Sequence, residues 1–97
     1  MSITYLAILT YVRPVEELDA HLDGHRDWLK QGIAAGTILA AGRRVPRTGG
    51  VIFARGESLE AVEALIAADP FHRHGLATAE IIPFETTLAA DTLQGLL

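Results

Sequence analysis

Pro14-Val15-Glu16-Glu17-Leu18-Asp19-Ala20-His21-Leu22-Asp23-Gly24-His25-Arg26-Asp27-Trp28-Leu29-Lys30-Gln31-Gly32-Ile33 is the stretch on which the fold turns. Val15, Leu18, Leu22, Leu29 and Ile33 recur at spacings of three, four or seven and so share one helical face. Glu16, Asp19, Asp23, Asp27 and Lys30 fall on the other side. Pro14 suits a first helical turn, Glu16 and Glu17 suit the positive end of the helix dipole, and Gly36 is a natural stop. The pattern predicts one helix from Val15 toward Gly36.

Upstream, Ile3 to Tyr11 is rich in β-branched, aromatic and aliphatic residues and reads as a buried strand. Downstream, Thr37 to Arg43 suits a second strand, and Arg44 to Thr48, with Pro46, a loop. Gly49-Gly50 reads as a flexible turn leading into a third strand at Val51 to Arg55. Ser58 is a good N-cap for a second helix running to about Ala68. Asp69-Pro70 ends that helix, because the residue before proline avoids the helical region. Phe71 to Gly75 is then a loop and Ala77 to Thr86 a fourth strand. Leu88 to Leu97 forms a tail, either a helical turn or a dimer arm.

The order strand, helix, strand, strand, helix, strand is the α+β ferredoxin-like βαββαβ arrangement, an antiparallel four-stranded sheet with both helices on one face. It accounts for a single domain with a core of about residues 3–86 and a tail of 87–97. In the first and fourth strands Ile3, Tyr5, Ala7, Leu9 and Ile81 oppose Leu6, Ile8, Ile82 and Phe84, so both sheet faces are apolar. The second face calls for a cover, and a homodimer packing sheet on sheet is the simplest one.

At 97 residues, 49% hydrophobic and 21% charged, the chain has the balance of one globular domain. A net charge of −4 argues against a phosphate-driven nucleic-acid binder. The absence of cysteine excludes disulfides, thiolate metal sites and a cysteine nucleophile. Met1 to Tyr5 lacks the pattern of a signal peptide, and Ile33 to Gly42 is too short to span a bilayer. The expected location is the cytoplasm, with no membrane partner.

Two polar residues interrupt the apolar stripes. At one hundred degrees per residue His25 falls within the arc of Leu18, Leu22, Leu29 and Ile33. Asp69 follows Val62, Leu65 and Ile66 on the inward stripe of the second helix. Burying either alone is costly, and both helices pack on one sheet face, so a shared polar cleft satisfies both. Asp69 also sits at the carboxyl end of its helix, where the dipole disfavours an anion and a histidine would compensate. A carboxylate on one ring nitrogen fixes the imidazole tautomer and raises the basicity of the other nitrogen, as a general base or acid requires. The plain structural account is a satisfied core histidine beside a helix-terminating Asp.

Further pieces extend the picture: His25-Arg26-Asp27-Trp28-Leu29 with Gly36 eleven residues after the histidine; Leu39-Ala40-Ala41-Gly42; Pro46-Arg47-Thr48-Gly49-Gly50-Val51-Ile52; Ser58-Leu59-Glu60; and Asp69-Pro70-Phe71 with Gly75-Leu76. In order and spacing these resemble the YCII-like (YciI-related) family over nearly the whole chain to about Phe84. The resemblance implies a dimeric α/β-barrel fold related to muconolactone isomerase, with an active site built around a His and an Asp that map onto His25 and Asp69. One branch of that family acts as a dehydrochlorinase on a chlorinated hydroxyhydroquinone, a substrate that nothing in this sequence singles out.

Arg43, Arg44 and Arg47 cluster near the second-strand loop, and Arg47 is the candidate contact for a carboxylate or phenolate. Gly49-Gly50 is no phosphate loop, since no lysine or helix follows. His21, His25, His72 and His74 with Asp69 have the atoms of a metal site, but His21 lies at the stripe's edge and Arg73 separates the loop histidines, so no metal is expected. Trp28, Phe71 and His72 flank the pair as candidate substrate contacts, Trp28 also suiting core packing. Two main readings follow. One is a cofactor-independent lyase or isomerase moving a proton on a small aromatic or enolisable molecule. The other is a non-catalytic ligand-binding or interaction module in which the pair is structural; an accessory subunit of a larger enzyme is a third.

Overall fold

The computed structural model describes residues 3–97. Strands β1 (Ile3–Tyr11), β2 (Ile38–Arg43), β3 (Gly49–Ala54) and β4 (Ala77–Glu85) form one sheet in the order β2-β3-β1-β4, all pairs antiparallel. With α1 (Val15–Asp19), α2 (Leu22–Ala35), α3 (Leu59–Ala67) and α4 (Pro70–Arg73), this is the ferredoxin-like α+β arrangement. Tyr5, Ala7, Leu9, Ile52 and Ala54 of the sheet pack with Ile38, and with Val62 and Ile66 of α3, in the main core. Leu18, Phe71, Leu76 and Ala77 form a smaller cluster at one end, joined by Tyr11 and Leu22.

Four expectations need correction. The first long helix is two helices, interrupted at Ala20-His21. The amide of His21 bonds Leu18 O at 2.9 Å, a tightened turn, and His21 sits outside helical geometry at φ −112, ψ 11. The break re-aims α2, so its buried position near the C-terminal end is Gly32 and not Ile33, which is 53% exposed. A Cβ on Gly32 would lie 2.4 Å from Ile38 Cδ1, so the missing side chain lets α2 lie close to β2. Gly36 ends α2 in the left-handed conformation, φ +80.

The second correction concerns Gly49-Gly50, which belongs to β3. Gly49 pairs with Thr10 at a point where a Cβ would stand 1.8 Å from Leu9 O. The glycine permits close strand approach and is not a hinge. Third, Phe71 to Gly75 is not all loop, since Pro70–Arg73 form α4. Proline at the first helical position and Asp69 as N-cap start a new helix where the previous one stops. The fourth follows from it: Asp69 does follow the carboxyl end of α3, but it is at the same time the N-cap of α4, where a carboxylate is favoured.

Opposite the helices, Leu6 pairs with Phe53 and Ile82, and Ile8 with Val51. Phe84 and Ile82 are each 39% exposed there, and Phe53 stacks on Phe84 at 5.6 Å. The tail forms a 3-10 segment, Asp91–Leu96, tied back to the domain by Arg55 Nη2 donating to Gly95 O at 3.0 Å. Among the described residues no helix is long and apolar enough to cross a membrane.

Candidate active site

The register of the sheet explains where a hollow forms. Leu9, Gly50 and Arg43 lie in one cross-strand row and Ala7, Ile52 and Ala41 in the next, all facing α2. Gly50 and Ala41 put almost no side chain beneath the helix. A cleft of about 110 Å³ results, floored by Leu9, Ile52 and Gly50 and walled by Leu22, His25 and Phe71. That is the scale of the roughly 150 Å³ cavity that takes up one benzene.

His25 comes from α2 and Asp69 from the α3–α4 junction. His25 Nδ1 and Asp69 Oδ1 are 2.7 Å apart. Asp69 is fully buried, while the His25 side chain is 14% exposed and lines the cleft. Asp69 Oδ1 also accepts from the Phe71 amide at 3.1 Å, so one oxygen both caps α4 and holds the imidazole. Its Oδ2 has no partner among the described residues. Phe71 lies on the imidazole nearly parallel, with centroids 4.0 Å apart and planes 7° apart. Three elements thus restrain one ring.

The other expected contacts are dispersed. Trp28 is half-buried, packs on the main core and sits 6.1 Å from the His25 ring, off the cleft wall. His72 is exposed on α4 and does not line the cleft. Arg47 also lies off it: Nη2 donates to Asp19 Oδ1 at 2.8 Å, and the guanidinium sits 5.7 Å over the Tyr11 ring. Those partners hold its pKa above the ordinary arginine value, the hydrogen bond it donates to Asp19 contributing most. Its charge is spent locally. His21 and His74 stack on each other at 4.0 Å, and no group of three or more potential metal ligands assembles among the described residues. The cations that do line the cleft are Arg26 and Arg43. Arg26 lies as near the apolar stripe as His25, on its other side, but an arginine there reads as an ordinary solvated residue; the pairing of Arg43 with Gly50 becomes visible only once both glycines are placed in the strand.

A YCII-related domain matches residues 4–85, and the chain belongs to that family. No curated protein matches it. Among solved structures it is similar to 5-chloro-2-hydroxyhydroquinone dehydrochlorinase (TftG) from Burkholderia phenoliruptrix, in complex with 2,5-dihydroxybenzoquinone. That match has a TM-score of 0.72 at 19% identity, covering 84% of this chain and 92% of that one. It is also similar to a variant of SnoaB, a cofactor-independent oxygenase from Streptomyces nogalater, with a TM-score of 0.51 at 13% identity, covering 93% and 97%. At these identities the likeness establishes the fold alone, the ferredoxin-like α+β arrangement.

Proposed function

We propose that this YCII-related domain is a small-molecule enzyme in which His25 moves a proton and Asp69 orients it. The observation that carries the reading is the 2.7 Å contact of Asp69 with Nδ1 of a histidine that also lines a cleft. An ionised carboxylate only accepts, so a neutral His25 carries its proton on Nδ1 and leaves the Nε2 lone pair free. Nε2 takes a proton from a substrate C–H or O–H. The electron pair left behind moves into an enolate or phenolate, or expels a leaving group from the neighbouring carbon. The imidazolium then returns the proton to substrate or leaving group. This needs a positioned proton shuttle and calls on no cofactor.

A dehydrochlorinase with a similar fold and a bound dihydroxybenzoquinone makes hydroxylated rings the first substrates to try. A panel of hydroxyhydroquinones, hydroxyquinones and lactones tests the reading with wild type and His25→Gln. The expected result is a loss of roughly 10²–10⁴-fold in the variant; equal turnover by both removes His25 from the mechanism. The second reading, a ligand-binding module with a structural pair, draws support from the double use of Asp69 Oδ1. It predicts ligand binding without turnover across the panel.

We also infer that the apolar sheet face formed by Leu6, Ile8, Val51, Phe53, Ile82 and Phe84 meets a second copy of the chain. Light scattering should return a dimer mass for wild type and a monomer for Phe53→Glu. A wild-type monomer would sink the inference.

A further inference from the structure

We propose that the cleft selects an anionic single-ring ligand, its carboxylate or phenolate held between Arg26 and Arg43. This deepens the proposed function and rests on it for the position of the ring. The chain carries a net charge of −4, yet the residues lining the cleft include two arginines and no Asp or Glu. The local sign is therefore opposite to that of the whole protein. Of the other arginines, Arg13 pairs with Glu17, Arg47 with Asp19, Arg44 donates to Thr10 and Arg55 to Gly95, while the side chain of Arg73 has no partner among the described residues and does not line the cleft. The side chains of Arg26 and Arg43, which do line it, have no hydrogen bond or ion pair among the described residues.

Their placement suits a shared ligand. Arg26 follows His25 on α2, and Arg43 sits on β2 in register with the bare floor at Gly50, so the two approach from the elements that wall the cleft. The remaining walls are apolar or aromatic: Leu9, Leu22, Leu29, Ile52 and Phe71. A flat ring against Phe71 and His25 with its anionic group toward the arginines satisfies both halves of the lining. Guanidinium groups bond planar carboxylates in pairs, which adds orientation to attraction.

Nuclear magnetic resonance on the ¹⁵N-labelled full chain tests this without a known substrate. The probes are benzoate and benzamide, which share a ring and differ in charge. The signals followed are the single tryptophan indole, Trp28, and the backbone amides of the cleft. Wild type should bind benzoate about tenfold more tightly than benzamide, the gap narrowing at high ionic strength. In the Arg26→Gln/Arg43→Gln double variant the two affinities should converge, while Arg47→Gln should keep the wild-type gap. Equal affinities in wild type, or a gap that survives the double variant, overturns the inference and leaves the cleft as the binding site. If neither probe shifts any cleft signal, the small-molecule reading of the cleft falls as well.

Discussion

Two ion-pair-like contacts in this small protein have nearly the same length and opposite surroundings. His25–Asp69 closes at 2.7 Å with side chains 14% and 0% exposed; Arg47–Asp19 closes at 2.8 Å with side chains 24% and 50% exposed. The first ties α2 to the α3–α4 junction across 44 residues, beneath a cleft. The second ties the β2–β3 loop to α1 at the surface, with Asp19 half exposed. Distance alone would rank them equal. Burial separates them, because an unpaired charge in the interior costs several kcal/mol and an exposed one is solvated.

The largest expected difference is catalytic. Asp69→Asn keeps the shape but replaces the carboxylate that stabilises the imidazolium formed on His25 with a neutral amide. On any panel member that wild type turns over, it should lose roughly 10³–10⁴-fold, as when the orienting carboxylate of a Ser-His-Asp triad is replaced. Arg47→Gln should leave turnover within about twofold. Steady-state kinetics on both variants checks the contrast, and comparable losses would erase it.

Stability should follow the same order. His25→Ala removes the partner of a fully buried carboxylate and the ring stacked on Phe71, and should destabilise by about 3 kcal/mol. In a domain of this size that is a fall of roughly 12–20 °C in Tm. Asp19→Asn, on the exposed pair, should cost less than about 1 kcal/mol. Urea melts of the two variants give the comparison directly.

The smallest effects belong to Arg47 and distinguish the pairs by salt and pH. Its pKa is raised in the fold, so the stability it contributes is fully present below the ordinary arginine value and lost only above it. Arg47 itself therefore adds no slope to stability near neutral pH. Raising ionic strength should shrink the already small loss caused by Arg47→Gln, while the loss in His25→Ala should hardly move. Thermal melts at two salt concentrations read both.

The element order was legible because strand and helix periods are strong and their turns carry Gly, Pro and Ser. His25 and Asp69 stood out as polar residues in apolar stripes, which need no structure to see. The break at Ala20-His21 was not legible: neither residue is a helix breaker, and the interruption comes from seating Leu18 in one cluster and α2 over the sheet. Asp69 was read as a terminator because Asp-Pro ends one helix and starts another with the same two residues. The roles of the arginines depend on which carboxylate lies near, and Arg47 meets Asp19 from 28 residues away. No local pattern encodes that.

The central claim is that Asp69 holds His25 as the Nδ1–H tautomer, with Nε2 bare toward the cleft. Long-range ¹H–¹⁵N spectra of the labelled protein report the tautomer of each histidine, with His25 assigned by the signal lost in His25→Gln. A neutral His25 protonated on Nδ1 in wild type, with that preference lost in Asp69→Ala, which removes the acceptor, is the predicted result. A wild-type His25 carrying its proton on Nε2 would contradict it.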